Sequence, residues 1–163
     1  MVSKKKTWQQ KLEDDKSLPK TLKLEERFPC YKPLARMGAE PGNSVVIAPP
    51  SSVVAVMNKV PRGKLLTLED ICRALANKYK TQYCCTLTTG IFVTIAANAA
   101  EETKAATPYW RTIKNTGELN TKYPGGVERQ RALLEKEGHT IVQRGKKLFV
   151  KDYQTRLFRP QET

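Results

Sequence analysis

The chain has 163 residues and carries 29 Lys and Arg against 16 Asp and Glu, a net charge of +13 at pH 7. That length suits one domain plus an arm, or one larger domain. The longest apolar run, residues 91–100, is interrupted by Thr94 and Asn98 and falls short of the roughly 20 residues of a membrane span, so a transmembrane protein is excluded. The basic start, Met1 to Lys6, has no apolar stretch behind it, and no secretory signal is expected. The charge is uneven: residues 1–36 hold ten Lys/Arg against five Asp/Glu and residues 127–163 nine against five, but residues 87–126 only four against three. An excess of this size attracts polyanions, of which nucleic acid is the commonest.

In chain order, residues 8–15 read as a short helix, interrupted by Leu18-Pro19-Lys20. Pro29, Pro33, Pro41, Pro49 and Pro50, with Gly38 and Gly42, forbid a continuous helix over the next stretch, where Val45-Val46-Ile47 suits a short strand. Ser51 or Ser52 is placed to cap a helix whose Val53, Val56, Met57 and Val60 fall at helical spacing, ended by Pro61-Arg62-Gly63-Lys64. Thr67, with Asp70 three residues on, predicts a capping box for a helix with Leu68, Ile71, Cys72 and Leu75 on one face. Thr86, Thr88 and Thr89 signal another start, opening an Ala-rich helix over residues 90–102; the pair has the skeleton of a helix-turn-helix. An irregular stretch through Pro108-Tyr109-Trp110-Arg111 leads to a turn at Asn115-Thr116-Gly117. Tyr123-Pro124-Gly125-Gly126 then opens a helix over residues 127–136, stopped by Gly138. Thr140-Ile141-Val142 and Leu148-Phe149-Val150 flank Arg144-Gly145-Lys146, a β-hairpin with a basic tip that suits a wing. The expected fold is α/β and winged-helix-like over residues 51–151, with residues 1–50 as a basic N-terminal arm and residues 152–163 as a tail, frayed from Arg156.

Cys30, Cys72, Cys84 and Cys85 lack zinc-finger spacing and His139 is the only histidine, so no metal site is expected. Without an export signal the four thiols read as reduced, in a cytoplasmic protein. His139 reads as a surface residue rather than a ligand.

Four pieces in order, over residues 53–141, resemble the DNA-binding domain of the alkylguanine-DNA alkyltransferases and their alkyltransferase-like relatives. Val60-Pro61-Arg62-Gly63-Lys64 with Thr67 resembles the family's entry motif, and Thr88-Thr89-Gly90 the start of its recognition helix. Pro108-Tyr109-Trp110-Arg111-Thr112-Ile113 resembles the active-site Pro-Cys-His-Arg-Val-Ile, and Gly117 with Tyr123, Gly125-Gly126, Leu133-Leu134 and Glu137-Gly138-His139 the closing segment. The first fifty residues do not resemble the family's usual N-terminal domain.

The departures bear on function. In the enzymes a thiolate takes the alkyl group and a neighbouring histidine helps deprotonate it. Here Tyr109 and Trp110 stand at those two positions, and a phenol with an ordinary pKa near ~10 is no such acceptor. No catalytic residue and no cofactor is therefore expected. Relatives without the cysteine bind alkylated DNA, flip the base out and recruit other repair proteins, and the sequence is closer to that branch. The family's flipping arginine corresponds to Leu87, a core residue or an apolar wedge. Its phosphate-crowding tyrosine corresponds to Leu68, and the stretch from Gly90 to Pro108 is longer than the family pattern.

The resemblance implies duplex DNA as partner, with Arg62, Lys64, Thr67, Leu87, Thr88, Thr89 and Arg111 as contacts. Arg111 equally suits a structural tie between loops, and the threonines ordinary capping. Tyr109, Trp110 and Tyr123 are the candidates for a base pocket, or Tyr109 and Trp110 fill and close it. Glu137 loses the histidine that its family counterpart serves. Two other readings stay open: an enzyme using Cys84 or Cys85 as a relocated acceptor at a helix N-terminus, or a nucleic-acid or protein interaction module with a plugged pocket.

Overall fold

A computed structural model describes residues 6–14 and 17–160. The first five residues of the basic start, Asp15 at the end of the first expected helix and residues 161–163 of the tail lie outside the described residues. The first helix, α1 (Trp8–Leu12), is set by a capping box in which the Thr7 hydroxyl accepts from the Gln10 N–H and the Gln10 side chain accepts from the Thr7 N–H. The arm then forms β1 (Lys20–Lys23), α2 (Tyr31–Arg36) and β2 (Ser44–Ile47), with Leu24, Leu34 and Val45 in a small cluster. β2 is the strand expected at Val45–Ile47. β1 had no apolar period to announce it, because its Lys20 and Lys23 bracket a single Leu22.

The helical body holds α3 (Pro50–Met57), β3 (Leu66–Thr67), α4 (Leu68–Lys78), β4 (Tyr83–Cys84) and α5 (Thr86–Thr103). β1 pairs antiparallel with β2, and β2 parallel with β4, so the arm's sheet runs into the helical body. Neither Ser51 nor Ser52 caps α3: Pro50 occupies its first turn behind the N-cap Pro49, where a missing N–H costs nothing. The Ser52 hydroxyl instead meets the Tyr79 hydroxyl at 2.6 Å. The Thr67–Asp70 capping box of α4 forms as expected. α5 starts earlier than expected, on Cys85, so Thr88 and Thr89 lie inside its first turn rather than at its cap. Val56, Met57, Ile71, Leu75, Val93, Ala96, Ala97 and Ala100 close the main core between α3, α4 and α5. The alanines of α5 leave room for that close approach.

A 3₁₀ turn, Tyr109–Arg111, precedes β5 (Thr112–Ile113), which pairs parallel with β3. α6 (Gly126–Lys136) ends on a Schellman turn: Gly138, at φ +90°, donates to Glu135 and His139 to Leu134. β6 (Ile141–Arg144) and β7 (Lys147–Val150) form the expected hairpin. The tail is not frayed over residues 156–160. Leu65 donates to the Arg156 carbonyl and Phe158 to the Leu65 carbonyl, both at 2.8 Å, and Arg159 reaches Asp70 at 3.0 Å. Leu157 packs on the third core cluster, whose burial accounts for the attachment.

The Schellman turn folds His139 inward, so the only histidine is buried at 6% exposure rather than at the surface. Its Nε2 has no hydrogen-bond partner among the described residues. Burial, with Arg156 nearby, holds its pKa below the ordinary imidazole value. The unfolded chain then binds the proton first as pH falls, so stability is full above about pH 6.5 and declines below it. Thermal melts between pH 7.5 and 5 should show the melting temperature fall with pH, and His139→Gln should flatten that fall. An unchanged slope in the variant would assign it to other groups.

Candidate nucleic-acid interface

Between α5 and the segment 112–123 lies an open groove of about 940 Å³. Leu68, Val93, Ile113 and Tyr123 belong to its lining, as do Leu87 and Ile91 from the start of α5. Leu87 is 44% exposed and Ile91 59%, one turn apart on the side of the helix opposite the core alanines. Among the described residues four lysines, Lys11, Lys114, Lys122 and Lys147, share the lining with a single acid, Glu118. Glu118 is itself paired, 3.3 Å from Lys114 and 3.9 Å from Lys147. Thr86 and Thr112 also line the groove, and their buried hydroxyls have no hydrogen-bond partner among the described residues. The site thus combines apolar surface with a surplus of cations, a combination that suits stacking on a base beside phosphate contacts.

Beside the groove, Tyr109 is only 2% exposed. Its ring meets Trp110 and Tyr123 edge to face, each at 5.4 Å between centroids. Its hydroxyl donates to Glu101 at 2.8 Å, and Arg129 clamps the same carboxylate oxygen at 2.7 and 3.0 Å. Burial raises the Tyr109 pKa, and Glu101 raises it further against the opposing effect of Arg129. The phenol is therefore a neutral donor, not a nucleophile. The length of α5 makes this possible: its last turns carry Glu101 to Tyr109, and Glu102 to the backbone of α1.

Behind Tyr109, Arg111 joins three segments. Its Nε and Nη2 hold both oxygens of Glu137, at 2.7 to 3.1 Å, and its Nη1 donates to the Val60 carbonyl at 2.7 Å. The Trp110 Nε1 donates to Glu137 at 3.2 Å. Burial works to raise the Glu137 pKa, but the Arg111 and Trp110 donors outweigh it and the net shift is downward.

A family model described as 6-O-methylguanine DNA methyltransferase, DNA binding domain, matches residues 49–139. The chain belongs to this family. No curated protein sequence matches it. Among solved structures it is similar to S. pombe Atl1 in complex with damaged DNA containing O6-carboxymethylguanine, at 20% identity and a TM-score of 0.51, covering 67% of this chain and 93% of that one. A second structure, of S. pombe ATL in complex with DNA, aligns at 19% identity and a TM-score of 0.52 over the same shares. The fold is thus the α/β, winged-helix-like fold of the alkyltransferase DNA-binding domain.

Set in this methyltransferase-family frame, the expected residues separate. Tyr123 and Leu87 line the groove, and so does Leu68; the exposure of Leu87 removes its core reading. Tyr109 and Trp110 do not line it: they belong with the core, where Tyr109 fills the acceptor position. Trp110 gives Glu137 an indole N–H, so that carboxylate keeps a donor after all. Arg111 spends its fork inside the fold, on Glu137 and the Val60 carbonyl. Thr67 is 6% exposed in its capping box; Thr89 donates to the Cys85 carbonyl at 2.7 Å and Thr88 to the Cys85 sulfur at 3.0 Å. Arg62 and Lys64 are exposed but lie outside the groove lining, with Arg62 on the Lys136 carbonyl at the end of α6. Missed by sequence reasoning were Trp8, Lys11, Lys114 and Lys122, while Lys147 was legible as part of the basic hairpin tip. They are scattered along the chain with no shared spacing, so only the tertiary fold groups them.

Proposed function

We propose that the protein is a non-catalytic, alkyltransferase-like DNA-binding protein that docks duplex DNA along the groove and receives a modified base there, in DNA repair. The observation that carries this reading is the open, lysine-bearing groove next to an acceptor position filled by buried Tyr109. Residues 51–151 form the docking unit, residues 1–50 an arm that borders it and residues 152–163 a tail. Leu87, with Ile91 one turn on, supplies an apolar wedge in place of the family's arginine, as minor-groove proteins use leucine or isoleucine to open a base step. That Atl1 has been solved on damaged DNA supports the reading. Recruitment of other repair proteins and a cytoplasmic setting go with this role.

A relocated thiol acceptor fits less well. Hydrogen bonding from Cys72 lowers the pKa of Cys84, but Cys84 is 2% and Cys85 6% exposed, and neither lines the groove. The deciding experiment is titration of a labelled duplex with and without one O6-alkylguanine. The modified duplex should bind about tenfold tighter or better, the size of one good contact. Equal affinities would leave a general nucleic-acid module. Intact-protein mass after the same incubation should show no added alkyl group; an adduct on Cys84 or Cys85 would replace this reading with the enzymatic one.

A further inference from the structure

We infer that α1, which lies outside the family domain, is a working wall of the groove: the Trp8 indole stacks on a nucleobase of the bound strand, and Lys11 meets its phosphate. The inference rests on the groove being a DNA-docking site and adds to that reading an element from the arm. α1 is fixed against α5 without needing the Trp8 ring. The backbone N–H groups of Trp8 and Gln9 donate to Glu102 at 3.3 Å each, and Leu12 packs against the main core. No residue of α1 is fully buried, and Trp8 keeps 37% of its surface exposed while lining the groove with Ile91 and Ile95. An indole held by its backbone, half open and bordering an apolar groove, offers a flat face to any base, since stacking is indifferent to base identity. The Lys11 ammonium lies over one face of that ring, 4.4 Å from its centre, so the base takes the opposite face and the cation stays within reach of the strand's phosphate.

The charge of the groove selects the occupant. Four lysines against one paired glutamate favour a polyanion over an apolar peptide or a second copy of this equally basic chain.

The test uses the full chain and a fluorescein-labelled duplex carrying one O6-alkylguanine. Trp8→Ala should weaken binding by about tenfold with an unchanged salt slope, and Trp8→Phe should keep most of the affinity. Lys11→Gln should lower the salt slope by about one. A purely structural Trp8 would shift the melting temperature of Trp8→Ala and leave DNA binding alone. The chain has two tryptophans, so Trp110→Phe leaves Trp8 as the only one, and saturating DNA should quench its emission. Affinity of Trp8→Ala within twofold of the parent, together with no quench, overturns the inference. So does self-association that depends on Trp8, which would assign the groove to a second copy. If the parent chain binds no duplex at all, the functional reading falls and this inference falls with it. If the parent binds and Trp8→Ala binds equally, only the role of the arm is lost.

Discussion

Arg111→Met is expected to destabilise the protein by about 3–5 kcal/mol, the usual cost of breaking a buried ion pair from one side. The side chains of Arg111 and Glu137 are 15% and 5% exposed, so the pair is largely out of water. Removing the guanidinium leaves the Glu137 carboxylate with only the Trp110 N–H, at 3.2 Å, and the Gly63 backbone, and leaves the Val60 carbonyl without its Nη1 donor. Arg111→Lys should recover little, because a single ammonium does not reproduce a fork that reaches two carboxylate oxygens and a carbonyl at once. Glu137→Gln should cost less than Arg111→Met, since Arg111 keeps the bond to Val60 and the amide oxygen still accepts. Urea denaturation of the three variants measures this directly. A loss under about 1 kcal/mol for Arg111→Met would place the pair with surface salt bridges and contradict its burial.

This ion pair shows what the sequence made legible. Arg111 and Glu137 were visible as family positions, and a structural tie was one of the two roles open to Arg111. What no spacing told was that Trp110 would serve Glu137, because an indole and an imidazole share only the ring N–H donor. Local signals worked where the physics is local. The Thr67–Asp70 box, the Gly138 stop and the hairpin around Gly145 each depend on a few neighbouring residues. Signals failed where burial decides. Leu87 at the head of an apolar helix looks the same whether it faces the core or solvent, since α5 is apolar on several faces. Tyr109 reads as pocket wall or plug until the extra turns of α5 place Glu101 over its hydroxyl. His139 reads as exposed until the Schellman turn folds it beneath α6. The tail carries no pattern of its own, and its attachment follows from the bridge of Leu157 to Leu65 and the reach of Arg159 to Asp70, both far away in sequence.

The distribution of positive charge was the least legible feature and carries the largest effect expected on binding. Sequence counting placed the excess at the two ends and pointed to Arg62 and Lys64, and to the basic hairpin tip with Lys147, for backbone contact. The fold instead brings Lys11, Lys114, Lys122 and Lys147 to one groove, from the arm, the 112–123 segment and the hairpin. Lys122→Gln with Lys147→Gln should therefore lower the salt slope of duplex binding by about two, since each phosphate contact contributes about 0.9. Affinity at physiological salt should fall about tenfold or more, on modified and unmodified duplex alike, because phosphate contacts position without specifying. Lys114 is left in place because it pairs with Glu118, which is 7% exposed and would otherwise lose its nearest cation. Arg62→Gln with Lys64→Gln is the matched control: the same charge change, outside the groove, should leave the slope nearly unchanged. If the control lowers the slope and the groove pair does not, DNA docks on the face near the end of α6, and Lys114 and Lys147 serve Glu118 rather than a phosphate. If both pairs lower it equally, the charge acts as a diffuse field with no docking face.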